Sequence, residues 1–387
     1  MDLWDSWNLW DKAKHSRPAW IEIDMQALRD NFANIKWLVE PGCKIAAVVK
    51  ADAYGHGAVP VARCLLAEGA SRLAVATLGE ALELRVAGIE APIMLLGTCG
   101  EEGVAVAVAQ DVILPVYSLE MARQISAAAG EQGKTAAVQL VVDTGMGRIG
   151  FLPSEAAVRE IVAINALPNL RIDGMFSHFA ASDEADKGYA EQQLAKYQEF
   201  AASLATAGVN LPLKTIANSA AIMELPNAHF DMVRAGIILY GYHPSNEVDK
   251  SLLALKPVMS IKARLTHVKD VPAGTSISYG RTFTTSAPAR IATVPVGYAD
   301  GWRRLQSNNG EVLVGGRRVP IVGRVCMDQF MIDVTGLDVR VGDEVVLLGT
   351  QGDERIDADE IAARCGTISY EILSAVLPRL SKKYINM

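Results

Sequence analysis

Lys50 ends an apolar run, Ile45-Ala46-Ala47-Val48-Val49-Lys50, and is followed by Ala51-Asp52-Ala53-Tyr54-Gly55-His56-Gly57. A lysine in that place either carries its ammonium out to water along an apolar stem, or keeps its amine partly desolvated, with a pKa lowered until it can form a Schiff base. Other polar residues stand at comparable places in the chain. Arg148 follows the run 137–144, His178 ends 172–178, Asn218 and Ser219 end 213–219, and Arg234 lies within 232–239. A guanidinium can only donate, because it stays protonated at any working pH. Asn218-Ser219 precedes a helical stretch beginning near Ala220. It reads either as an ordinary helix cap or as the mouth of an anion site, where free N–H groups and the helix dipole favour negative charge.

These residues are far apart in sequence, so some architecture must gather them. From about residue 44 to 241 the chain alternates between short β-rich apolar runs and Ala, Leu and Glu-rich helical stretches. The runs fall at 44–50, 73–77, 92–97, 112–117, 137–144, 172–178, 213–219 and 232–239, eight in all. Runs apolar on both faces and separated by helices predict a parallel sheet covered on both sides. Eight such units predict a closed α/β barrel of the (β/α)8 TIM type, with an open doubly wound sheet as the rival. In such a barrel, functional groups gather at the C-terminal ends of the strands. That rule places Lys50, Arg148, His178, Asn218, Ser219 and Arg234 at one mouth.

After Pro244 the texture changes. Residues 257–271, 291–297, 311–334 and 343–349 are rich in Val and Ile, with turn signals at Asn308-Asn309-Gly310 and Gly315-Gly316. This predicts a mostly β C-terminal domain. The expected organisation is an N-terminal extension over 1–16, a barrel domain over 17–250 whose first strand joins the β domain, and the β domain over 251–387. In the extension, Trp4, Trp7 and Trp10 with Leu3 would form one face of a short helix. It reads as a tail packed on its own protein, or as a helix for a partner.

Lys and Arg number 37 against 44 Asp and Glu, so the chain is acidic, which argues against a general nucleic-acid binder. Cys43, Cys64, Cys99, Cys326 and Cys365 are odd in number and scattered, without a C-x-x-C pair. That pattern predicts no disulfide scaffold and no metal site, and fits a reducing cytoplasm. No apolar run approaches a membrane span, and the start lacks the layout of a signal peptide.

Four segments carry a resemblance. AVVKADAYGHG at 47–57, VDTGMGRIG at 142–150, SISYG at 276–280 and GRVCMDQ at 323–329 occur in this order, and RPAWIEID stands at 17–24. The chain resembles alanine racemases, which place pyridoxal 5'-phosphate on a barrel followed by a β domain, and the likeness runs to about residue 384.

The resemblance implies the roles that follow. Lys50 would hold the cofactor as an internal aldimine and then act as one catalytic base, with Tyr279 as the other. Arg148 and the backbone at Met327 would hold the substrate carboxylate. Tyr54, Asn218, Ser219, Gly236, Ile237 and Tyr370 would bind the cofactor, most of them around its phosphate. Arg234 would face the pyridine nitrogen, and His178 would lie against the ring. The Tyr279 loop and the Cys326-Met327-Asp328 loop would come from the second chain of a homodimer with shared active sites. The implied reaction interconverts L- and D-alanine on the cofactor's external aldimine and supplies D-alanine for peptidoglycan synthesis. A racemase for serine or another amino acid, and a non-catalytic barrel that binds the same cofactor, are the alternatives.

Racemisation removes the α-proton from one face and returns one on the other, which calls for two bases. Arg234 opposite the pyridine nitrogen would keep it unprotonated, so the ring is a weaker electron sink and the proton returns to the α-carbon. Two positions depart from the family. Val141 stands where many relatives have a lysine that, as a carbamate, braces the arginine. Thr215 stands where many have a histidine contacting the ring arginine, and its hydroxyl could still accept a bond from Arg234.

Overall fold

The computed structural model describes residues 16–387. The tryptophan-bearing stretch read above as a packed tail or a partner helix therefore lies outside the described residues. By backbone contacts the chain divides into a unit of residues 27–53 and 57–256 and a second unit that takes residues up to 26, Tyr54–His56 and 257–387.

The first unit is built on eight strands: β2 (Lys44–Val48), β3 (Arg72–Val75), β4 (Ile93–Leu95), β5 (Val112–Val116), β6 (Ala136–Val141), β7 (Leu170–Phe176), β8 (Lys214–Thr215) and β9 (Met232–Ala235). They pair in the order β8-β7-β6-β5-β4-β3-β2-β9, every ladder parallel. Between β8 and β9 the ring is drawn together by Asp231 N–H to Lys214 O (3.2 Å) and Arg234 N–H to Ala217 O (3.0 Å). The result is the expected barrel rather than an open sheet. Its strands are apolar on both faces because one face fills the interior and the other meets helices. Every residue of β3, β4 and β5 is buried.

Each strand is preceded or followed by a helix: α1 (Met25–Leu38), α2 (Ala58–Ala67), α3 (Leu78–Val86), α4 (Gly100–Ala109), α5 (Leu119–Glu131), α6 (Glu155–Asn165), α7 (Gly188–Thr206) and α8 (Ser219–Glu224). They bury one stripe each. In α5 the buried residues are Ala122, Ile125, Ser126 and Ala129, the i, i+3, i+4, i+7 spacing of one helix face. Their starts are fixed by side chains that accept free N–H groups. Ser118 takes Met121 N–H and Ser154 takes Ala157 N–H, both at 3.2 Å, and Asn218 takes Ala221 N–H at 3.1 Å.

The second unit is a ten-stranded sheet with one short hairpin beside it. Its strands are β1 (Ala19–Asp24), β10 (Met259–Arg264), β11 (His267–Val271), β14 (Ala289–Val294), β15 (Glu311–Val314), β16 (Arg317–Val322), β17 (Phe330–Asp333), β18 (Glu344–Gln351), β19 (Glu354–Ile356) and β20 (Ser381–Ile385), with β12 (Ser276–Ile277) and β13 (Phe283–Thr284) forming the hairpin. β1 pairs antiparallel with β10 and parallel with β20, which is why the first strand of the chain belongs to this unit. Gly315 and Gly316 form the two-residue turn between β15 and β16, with φ of 59° and 75°. Both values lie where glycine costs nothing and a side chain does. Helices α9 (Ala358–Cys365) and α10 (Ser369–Ser374) follow. Among the described residues no helix is long and apolar enough to cross a membrane.

Candidate active site

Lys50 lies two residues beyond β2, at the C-terminal end of the strand. The four residues after it, Ala51, Asp52, Ala53 and Tyr54, all take left-handed backbone angles, with φ between 52° and 54°. No glycine relieves that turn, and each such residue costs on the order of 1–2 kcal/mol. Hydrogen bonds hold it. Ala51 N–H donates to Glu80 Oε1 (2.6 Å), Ala53 N–H to Val49 O (2.9 Å), Gly57 N–H to Asp52 O (2.9 Å) and Ala58 N–H to Asp52 Oδ1 (2.7 Å). Glu80 is one residue that the sequence reading missed. Its signal was the spacing Thr77-x-x-Glu80, a capping box that the structure forms at the start of α3.

Arg234, on β9, is buried and spends its guanidinium on neutral acceptors. Nη1 donates to Thr215 Oγ1 at 2.9 Å. Nη2 is shared among Ser177 O (2.7 Å), Ile216 O (3.1 Å) and His178 Nδ1 (3.1 Å). Burial pulls its pKa down to about 10, Tyr197 opposing and Arg148 adding to the fall, so it carries its proton at neutral pH. A donor-only group facing Nδ1 fixes that nitrogen as the acceptor, which leaves the imidazole proton on Nε2. Burial, with Arg234, Arg148 and Lys50 nearby, drops His178 to a pKa of about 3, so the ring is neutral. Thr215 thus fills the acceptor role that a histidine would fill. Tyr197 Oη backs it, accepting Thr215 N–H at 3.0 Å and donating to Met175 O at 2.8 Å.

Lys50 feels the same surroundings. Burial lowers its pKa, Arg148 and Arg234 add to the fall, and Glu80 opposes it. The strand-end residues therefore form one electrostatic group of three cations and a neutral imidazole. Arg148 is exposed on the loop after β6 and makes no ion pair or side-chain hydrogen bond among the described residues. Val141, where a lysine would brace it, is buried and apolar.

At the neighbouring strand ends, Gly236 N–H donates to Ser219 Oγ at 3.1 Å, and Ile237 begins a turn of 3-10 helix. Asn218 Oδ1 is occupied as the cap of α8 and accepts Ser182 Oγ–H at 2.9 Å, so its side chain orients the segment. The Ser219 hydroxyl and these strand-end amides, beside Arg148 and Arg234, which make no ion pair among the described residues, suit a ligand with a phosphate and a second anionic or basic ring atom.

Four sequence-predicted residues belong to the other unit. Tyr54 and Tyr370 pair their rings there, centroids 6.1 Å apart and tilted by 53°, and burial pushes the Tyr54 phenol up. Tyr279 and Met327 are exposed, at 71% and 52%. Their loops are nonetheless well held. Ser278 Oγ donates to Arg324 O (2.7 Å), and Ala299 N–H donates to Met327 O (3.0 Å). Arg379 bonds Asp328 (2.7 Å), while Arg17 pairs with the buried Asp300. A Cβ on Gly297 would stand 2.3 Å from Met327 O, so only glycine admits that approach.

Three further histidines are held by backbone groups. Buried His229 receives Glu40 N–H at 3.5 Å and lies 3.1 Å from Ile222 O. His243 lies 3.1 Å from Leu253 O, and His56 lies 2.9 Å from Tyr54 O. All five cysteines are free thiols. Among the described residues no cluster of His, Cys, Asp and Glu is placed to hold a metal ion.

Comparison with known proteins adds to this geometry. Residues 23–244 match the family model "Alanine racemase, N-terminal domain", and 258–384 match "Alanine racemase, C-terminal domain". The chain is similar to the alanine racemase of Clostridium novyi, 47% identical over 374 residues and 96% of each chain. It is 49% identical over 369 residues to that of Desulforamulus reducens, covering 95% of this chain and 99% of the relative. Among solved structures, the alanine racemase of Clostridium difficile 630 superposes with a TM-score of 0.92 at 44% identity over 96% of each chain. That of Bartonella henselae, solved with covalently bound pyridoxal phosphate, gives 0.84 at 29% identity over 95% of this chain and 99% of its own.

Proposed function

The chain belongs to the alanine racemase family, and we propose that it interconverts L- and D-alanine with two bases, Lys50 of one protomer and Tyr279 of its partner, around bound pyridoxal 5'-phosphate. One observation carries this reading more than any other. A lysine at a barrel mouth has its pKa lowered by burial and by two arginines, one of which is itself buried and bonds only neutral acceptors.

Pyridoxal phosphate, when bound, withdraws electrons from the α-carbon and makes its proton removable. Lys50 would hold it through Nζ, and the Ser219 hydroxyl with the backbone at Gly236 and Ile237, whose Gly236 N–H meets Ser219 Oγ at 3.1 Å, would face its phosphate, with Asn218 shaping that segment. Arg234 would donate toward the ring nitrogen. A guanidinium that keeps its proton at neutral pH would leave the ring nitrogen unprotonated, which would favour return of the proton to the α-carbon over transfer to the cofactor. Neutral His178 would lie against the ring without adding a charge.

Arg148 and the backbone of the partner's Met327 would receive the substrate carboxylate. One base removes the α-proton while the other, protonated, delivers a proton to the opposite face, and the reverse reaction exchanges their roles. Desolvation favours the free amine of Lys50 needed for this. The homodimer is supported by the exposure of Tyr279 and Met327 on otherwise well-braced loops. The physiological role is supply of D-alanine for peptidoglycan synthesis, in the cytoplasm, which the five free thiols suit.

The test is a panel of L-amino acids incubated with the cofactor-loaded protein, followed by chiral analysis. Alanine is expected to approach equal amounts of both enantiomers. Failure to form D-alanine, or faster conversion of serine, would overturn the assignment. Borohydride should fix the cofactor to Lys50, as read by peptide mass.

A further inference from the structure

We propose that Tyr189 and Gln193, one turn apart on α7, form a clamp that sets the position of Arg148 and with it the affinity for the substrate carboxylate. The proposal rests on the role given to Arg148 above. The two side chains lie at i and i+4, hence on one face of the helix. Tyr189 Oη donates to Gly145 O at 2.7 Å. Gln193 is fully buried, and its Nε2 donates to Thr144 Oγ1 (3.3 Å) and His178 O (3.1 Å) while its Oε1 accepts Ala180 N–H (2.9 Å). Thr144 Oγ1 is also 2.9 Å from Ser177 Oγ, and Ser177 O is an acceptor of Arg234. One buried amide thus ties the loop of Arg148 to the strand end that carries His178 and receives Arg234.

Gly145 shows how closely the loop is seated. Its φ is 141°, and a Cβ there would stand 2.6 Å from Tyr189 Oη and 3.4 Å from Gln193 Cγ. The loop's own bonds shape it without fixing its tip to the barrel. Asp143 Oδ1 takes Gly145 N–H (2.9 Å) and Gly147 N–H (3.0 Å), and Phe151 N–H returns to Val141 O (2.8 Å) at its base. With Val141 apolar and Arg148 without an ion pair among the described residues, the loop backbone sets where Arg148 points. A carboxylate ligand is held equally in the ground and transition states, so loosening this loop raises KM and leaves kcat.

The experiment compares wild-type, Tyr189→Phe and Gln193→Met holoenzymes. KM and kcat are measured in both directions, with the inhibition constant of propionate, a carboxylate lacking the amine. Visible absorption and melting temperature are recorded alongside. Tyr189→Phe, at a 43% exposed position, should raise KM for both enantiomers and the propionate constant about fivefold, the worth of one hydrogen bond. kcat should stay within about twofold, with spectrum and melting temperature unchanged. Gln193→Met should shift the same quantities further and lower the melting temperature. A fall in kcat with KM and propionate binding unchanged, or no change in Tyr189→Phe, would overturn the clamp. Should Gln193→Met not fold, Tyr189→Phe alone decides. A wild-type protein that forms no D-alanine refutes the proposed function instead, and propionate binding, read from the visible absorption, still tests the clamp.

Discussion

The Glu80 carboxylate accepts the backbone N–H of Ala51 at 2.6 Å, one residue beyond Lys50, and its other oxygen accepts Ala76 N–H (2.7 Å) and Thr77 N–H (3.0 Å). One side chain therefore boxes the start of α3 and holds the left-handed turn that presents the lysine. It is also the carboxylate that raises the Lys50 pKa against the two arginines. Glu80→Ala removes two acceptor oxygens and the three hydrogen bonds they accept, and a stability loss of roughly 2–3 kcal/mol is expected from charged hydrogen bonds and a lost cap. The turn can then relax toward right-handed angles, so kcat should fall at least about tenfold, each decade being about 1.4 kcal/mol of misplacement. Glu80→Gln keeps an acceptor oxygen and should lose less. Urea unfolding and initial rates check both; equal stability and rate for Glu80→Ala would dismiss the role.

His178 gives a pH dependence whose sign follows from its neutrality. Its folded pKa of about 3 lies below the ordinary value of 6.5. Below pH 6.5 the unfolded chain takes up a proton that the folded chain refuses. This contribution to stability is therefore fully present above that value and is lost as pH falls toward 3. The slope of unfolding free energy against pH should approach about 1.4 kcal/mol per unit in that window from this residue. His178→Asn should flatten the difference between urea midpoints at pH 7 and pH 5. An unchanged difference would mean that the imidazole is charged in the folded protein.

Thr215 is expected to matter through its hydroxyl. Thr215→Val preserves shape but leaves a buried donor of Arg234 without its 2.9 Å acceptor, a cost of about 1–3 kcal/mol. Thr215→Ser keeps the oxygen and loses one methyl, about 0.8 kcal/mol. The visible absorption of the loaded enzyme separates packing from electrostatics. A band displaced in Thr215→Val and restored in Thr215→Ser shows that the hydroxyl tunes Arg234, whereas identical spectra with graded stability would reduce Thr215 to packing.

The barrel was legible because its strands are apolar on both faces and its helices on one, so the two periods separate along the chain. The run at 213–219 shows where such reading overreaches. Only Lys214–Thr215 forms a ladder, and three residues on the chain has already turned, with Asn218 capping α8. The residues at the barrel mouth were legible one by one from the strand-end rule. What braces them was not. Ala51 to Tyr54 carry no glycine to announce a left-handed turn. Gln193 sits among Glu and Lys in a polar helix sequence, and nothing local marks it as buried. Such supports are set by contacts across tens of residues, which single-sequence periodicity does not carry.

Lys50 and Tyr279 provide the test of a site shared between protomers. If one site takes its lysine from one chain and its tyrosine from the other, Lys50→Ala and Tyr279→Phe each inactivate both sites of their own homodimer. Tyr279→Phe should still hold the cofactor and show its visible absorption, because the lysine is intact. Unfolding the two variants together and refolding them at equal concentrations makes about half of the dimers mixed. Each mixed dimer holds one site lacking both groups and one site with both wild-type groups, so about a quarter of all sites regain activity. A site built from a single chain gives no recovery, since every chain in the mixture lacks one group. Recovery near a quarter of the wild-type rate supports the shared site; a mixture as inactive as its parents rejects it.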